Sequence, residues 1–187
     1  MKGSQFPFIK LDRQIIFLIL ITIPGLAAIW WVAVYGFFTL PNTIPIHFGL
    51  NGQPNAYGSG SALLLIAAVL SLAPIIIIFT VVFRYTLITK YPYLINLPSF
   101  YYNINKIPYA KRGMWINKYF KVVLVVGVIV VLITLLIILG VYTSALADNF
   151  AHSILAGVIG LVAVLIIANV YMMYRINKAM RASLSRS

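Results

Sequence analysis

The chain reads as an all-α integral membrane protein: a four-helix bundle with both termini cytoplasmic and an ordered outer loop between its first two helices. Three observations lead there. The 187 residues are 63% hydrophobic and 9% charged, far short of the polar surface that a soluble domain needs to cover its core. Four apolar runs are each long enough to cross about 30 Å of hydrocarbon, which takes about 20 helical residues. All 14 Lys and Arg residues fall into alternate segments of the chain.

The basic residues set the topology. Lys2, Lys10 and Arg13 precede the first run. Arg84, Lys90, Lys106, Lys111, Arg112, Lys118 and Lys121 lie between the second and third. Arg175, Lys178, Arg181 and Arg186 follow the fourth, and the stretches 39–61 and 142–152 contain no Lys or Arg. Cytoplasmic segments near membrane-helix ends collect Lys and Arg. Both termini and the central connection are therefore expected in the cytoplasm, with the other two connections outside.

The four predicted spans are residues 15–38, 62–83, 122–141 and 153–174. The first holds Pro24-Gly25, an expected kink that neighbouring helices tolerate. Its apolar stretch exceeds the roughly 7–15 residues of a signal-peptide core, so it is read as a retained span. Pro74 lies within the second, Thr134 is the polar side chain of the third, and Asn169 is the strongly polar residue of the fourth. Small residues recur four apart at Ser153 with Gly157, Ala156 with Gly160, and Ala67 with Ser71. Such pairs let helix backbones approach closely. Residues 1–187 form a single membrane domain on this reading.

The net charge of +12 is spread over three stretches where anionic lipid accounts for it, so no nucleic-acid partner is expected. The chain has no cysteine, which excludes disulfides, thiolate metal sites and Cys nucleophiles. The central connection, 84–121, mixes its cations with Tyr85, Tyr91, Tyr93, Tyr101, Tyr102, Tyr109, Trp115 and Tyr119. That composition suits either an anchor in the headgroup layer or a docking face for a cytoplasmic partner. Pro92, Pro98 and Pro108 preclude one continuous helix there, and a short helix over 110–121 is expected to feed the third span.

The first outer connection, LPNTIPIHFGLNGQPNAYGSG over residues 40–60, is dense in Pro, Gly and Asn. These residues specify turns, and the loop is expected to be ordered, with Gly52 and Gly58 supplying special backbone geometry. Its candidate partner-binding residues are Pro45, His47, Phe48, Gly52, Pro54, Asn55, Tyr57 and Gly58. Leu40, Pro41, Ile44, Pro45, His47, Phe48, Gly52, Pro54, Tyr57, Gly58 and Ser59 form a pattern that resembles a membrane domain of unknown function found in SdpI-type immunity proteins. The resemblance covers residues 15–85. In that pattern Asp is usual where this chain has Asn55, and Lys is common at Gly60. The resemblance implies a multi-pass protein of a prokaryotic plasma membrane that recognises a secreted peptide and can signal its presence.

Membrane enzymes and proton-coupled transporters need ionisable groups at depth, and none of the four spans holds Asp, Glu, Lys, Arg or His. The two acidic residues are Asp12 and Asp148. His47, Asp148 and His152 are all expected outside, and two His with one carboxylate suit a divalent metal. Alternatively Asp148 caps the fourth helix and His47 fixes the loop by one hydrogen bond to a backbone carbonyl. The second arrangement is the expected one, with no metal, no cofactor and no catalytic residue. The expected function is a non-enzymatic binding module for an extracellular peptide. An accessory subunit that packs against a neighbouring membrane subunit is the alternative, followed by a small transporter.

Overall fold

The computed structural model describes residues 6–49, 51–95, 97–147 and 152–185. In chain order the elements are α1 (Arg13–Thr39), β1 (Thr43–Phe48), β2 (Pro54–Ser59), α2 (Ala62–Val82), α3 (Arg84–Lys90), α4 (Pro98–Asn103), α5 (Tyr109–Ala147) and α6 (His152–Leu184). Helices α1, α2, α5 and α6 are each long and apolar enough to cross a membrane. They cover the four predicted spans to within a residue. The protein is a multi-pass, mostly helical membrane protein with a small β-hairpin between its first two long helices.

Helix α1 begins where Asp12, in extended conformation, accepts a hydrogen bond from the Ile15 amide at 3.0 Å. A carboxylate there satisfies a backbone donor that the helix leaves unpaired and suits the positive end of the helix dipole. Pro24 lies inside α1 without ending it. Close packing around glycine fixes how the helices meet. A Cβ at Gly25 would collide with the Val131 side chain on α5, and one at Gly36 would lie 2.6 Å from Leu63 on α2. At Gly127 it would meet Ile77 at 3.0 Å.

Helix α5 is the centre of the bundle and packs on α1, α2 and α6. Helix α6 packs chiefly on α5, with Gly157 against Leu136, while none of its most apolar stretch is buried. The small-residue pairs thus divide. Ala67 and Ser71 are buried, whereas Ser153, Ala156 and Gly160 face outward. Asn169 is half-buried and has no hydrogen-bond partner among the described residues.

The prolines break the central connection into α3, α4 and two 3-10 turns. The helix expected over 110–121 does not stop before the third span. It merges with it into α5, whose 39 residues reach about 58 Å at about 1.5 Å per residue. That is about twice what one crossing of the hydrocarbon needs, and Lys111, Arg112, Lys118 and Lys121 lie in its first turns. Phe6, Phe100, Trp115, Tyr119, Phe120 and Met180 bury one another there. The connection therefore has a core of its own, and its outward aromatics include Tyr93 and Tyr102.

Arg84 ties this end together. It is 2% exposed. Its guanidinium donates to Asn117 Oδ1 at 2.9 Å, to the Val81 carbonyl at 3.1 Å and to the Ile9 carbonyl at 2.8 Å. Asn117 Nδ2 in turn donates to the Lys10 carbonyl at 2.9 Å. Burial lowers the Arg84 pKa while the Asp12 charge opposes that shift; the guanidinium stays protonated. Lys121 pairs with Asp12 at 3.2 Å and donates to Gln14 at 2.7 Å. The Tyr119 hydroxyl donates to Asn177 Oδ1 at 2.5 Å. Through these contacts the N-terminal, central and C-terminal basic segments share one end of the bundle. The hairpin occupies the other.

Candidate functional site

The predicted ordered loop is an antiparallel hairpin. Thr43 faces Ser59, Ile44 faces Gly58 and Pro45 faces Tyr57. Two irregularities follow: His47 pairs with Ala56 and Phe48 with Pro54, which leaves Ile46 and Asn55 without cross-strand partners. One extra residue on each strand cancels the other, so the register recovers while the ladder is distorted locally. Prolines suit such an edge because each removes a ladder donor.

Ile44 anchors the hairpin to the bundle. It is fully buried among Ile29, Ala33, Leu63, Ala67, Val131 and Ile138. At the tip, Gly52 has φ 77°, a conformation that glycine adopts without steric cost. Its amide donates to the Gly49 carbonyl, and Gly49 donates to the Gln53 carbonyl, each at 2.9 Å. Asn51 Oδ1 accepts from the Gln53 amide at 3.1 Å. Gly58 differs from the expectation. Its φ is not positive, and a Cβ there would lie 3.0–3.1 Å from Ile46. Glycine at 58 makes room for the bulged Ile46 and supplies no special backbone geometry.

His47 is exposed, and its Nδ1 hydrogen-bonds Asn55 Oδ1. The expected partner was a backbone carbonyl. The bulges make the difference, because they free Asn55 from the ladder beside the histidine. An amide oxygen only accepts, so Nδ1 carries the proton. In the neutral ring Nε2 then holds the lone pair, and it has no hydrogen bond among the described residues.

A cavity of about 350 Å³ lies between the hairpin and the bundle. The hairpin contributes Ile46, His47, Phe48, Gly49 and Gly52. Ile66 of α2, Ile137 and Val141 of α5, and His152 and Leu155 of α6 complete the wall. None of these lining residues is acidic, Lys or Arg. Of the candidate binding residues, His47, Phe48 and Gly52 line the cavity. Asn55 hydrogen-bonds His47, Pro45 is buried in β1, Pro54 is half-buried opposite Phe48, Tyr57 is exposed opposite Pro45, and Gly58 packs on Ile46.

Of the metal candidates, His47 and His152 share the cavity, while Asp148 lies outside the described residues. No group of three or more His, Cys, Asp or Glu comes together among the described residues. Sequence reasoning missed the apolar wall. Ile66, Ile137, Val141 and Leu155 are span residues of the same kinds as those that face lipid, so no signal singles them out.

Residues 24–72 match the family described as Domain of unknown function (DUF1648). The match takes in most of α1, the hairpin and half of α2, so it lies within the expected range of 15–85. It stops short of the α5 and α6 side of the cavity. An uncharacterized protein of Archaeoglobus fulgidus is 33% identical over 129 residues, which is 69% of this chain and 69% of the archaeal one. No solved structure matches the chain. At that identity and coverage the protein belongs to the same family as the archaeal protein, and it carries the domain of unknown function at residues 24–72.

Proposed function

We propose that the protein is a non-enzymatic membrane binding module that holds part of an extracellular peptide between its hairpin and its bundle. One observation carries the reading: the cavity joins the hairpin to α2, α5 and α6, so an occupant touches both halves of the chain. Ligand sites are concave and mostly apolar with a few placed polar groups, and this wall has that make-up. The basic segments gathered at the opposite end favour an orientation with both termini in the cytoplasm and the hairpin outside. The sequence resemblance to SdpI-type proteins supports a role in immunity or sensing. His47 is bonded to an amide, and no carboxylate among the described residues orients it as a base, which supports binding over catalysis.

A photo-crosslinking amino acid at Leu155, which lines the cavity, should capture a secreted peptide in native cells. The same group at Leu72, exposed on the apolar surface of α2, should capture lipid or nothing. Equal capture of the peptide at both positions removes the basis for the reading.

A second reading has its own observation. Ile159, Ile166, Ile167 and Val170 leave α6 largely unpacked, as in an accessory subunit awaiting a neighbour. Copurification of a stoichiometric membrane subunit that protects these residues from lipid-phase labels supports it.

A further inference from the structure

The inference rests on the cavity being a binding site, as proposed above, and concerns what it selects. We infer that the cavity takes a neutral aromatic ring carrying one N–H or O–H, the indole of a Trp or the phenol of a Tyr on a peptide, and that Nε2 of His47 accepts its hydrogen bond. Three observations converge.

The first is the fixed polarity of His47. Asn55 Oδ1 holds the proton on Nδ1, and Asn55 is itself held at a bulge without a cross-strand partner. The neutral ring therefore brings an acceptor to the wall, and a ligand must supply the donor. The second is the absence of acidic and cationic side chains from the described lining. Moving a charge into such a wall costs far more than moving a neutral group. The third is the mixture of rings and branched aliphatics. Phe48, His47 and His152 offer ring faces and edges, while Ile137, Val141 and Leu155 offer an apolar floor. Aromatic groups gain from offset or edge contacts beyond their buried area, and a Tyr or Trp needs one partner for its polar atom when buried. The cavity supplies both.

The test uses the full chain in nanodiscs with two probes, indole and 1-methylindole, which replaces the N–H donor with an N-methyl group, measured by calorimetry against empty nanodiscs. Indole is expected to bind about tenfold more tightly, as one hydrogen bond would give. In His47→Phe the difference should vanish through loss of indole affinity, with 1-methylindole little changed. Leu155→Trp fills the cavity from a half-exposed position on α6 and should weaken both probes. If neither probe binds the native protein, the cavity is not a binding site and the functional reading falls with this one. Equal affinities in the native protein overturn the donor selection alone. A preference for indole that persists in His47→Phe assigns the acceptor to another group and overturns the role given to His47.

Discussion

His47 Nδ1 donates to the side-chain oxygen of Asn55, eight positions along the chain and across the hairpin. The contact exists because each strand carries one extra residue. Ile46 bulges from β1 and Asn55 from β2, so both partners leave the regular alternation of a two-residue repeat. The bond engages Nδ1 and leaves Nε2 as the ring nitrogen with no hydrogen bond among the described residues.

His47→Ala and Asn55→Ala should each lower stability by about 1 kcal/mol, the usual net worth of such a bond. The double variant should cost little more than either single one, since the bond can be lost only once. Chemical unfolding in detergent measures this. Fully additive losses would show that the two side chains act independently and that the contact carries no stability.

The two glycines of the hairpin should respond differently. Gly52→Ala places a side chain at φ 77°, which costs about 1–2 kcal/mol. Gly58→Ala meets Ile46 first, at 3.0–3.1 Å, so Ile46→Ala should relieve it, whereas the same second change should not relieve Gly52→Ala. Asn42→Ala, at an exposed position, should do little. Thermal unfolding of the set separates backbone strain from crowding, and rescue of both glycine variants by Ile46→Ala would contradict the assignment.

Arg84 should be the costliest polar position at the basic end. Arg84→Met strands Asn117 Oδ1 and the carbonyls of Val81 and Ile9, a loss on the order of 3 kcal/mol. Arg84→Lys should recover only part of it, because a single ammonium cannot reproduce the planar fork. Limited proteolysis should then cut the segment before Asp12 faster in both variants. Native-like resistance in Arg84→Met would show that the N-terminal segment is held by its apolar contacts alone.

The orientation has a direct readout. Cysteine at the exposed Ser59 should label with an impermeant thiol reagent in whole cells, and cysteine at the exposed Ser185 should not. The opposite pattern reverses the protein in the membrane and places the cavity on the cytoplasmic face. The chain has no native cysteine, so the label reports these positions alone.

The sequence by itself determined the number of long helices and where their apolar stretches lie, because hydrocarbon demands about 20 apolar residues in a row and excludes charge. It determined that the loop over 40–60 is ordered, since Pro, Gly and Asn specify turns through their own backbone limits. It pointed to Gly52 for the same reason. These are local properties, set by a few neighbouring residues.

The tertiary structure decided whatever depends on residues far apart in the chain. Two compensating bulges turned the loop into a hairpin and chose Asn55 as the partner of His47, because strand register is a property of the pair and not of either strand. Packing converted the aromatic connection over 84–121 into a core around Phe100 and Tyr119, where composition alone favoured an interfacial anchor over a docking face. Packing also decided which of the interchangeable Ile, Val and Leu residues line a cavity and which face lipid. In a membrane span both environments are apolar, so residue type carries no information about the choice. Only the meeting of α5, α6 and the hairpin made Ile137, Val141 and Leu155 neighbours of His47.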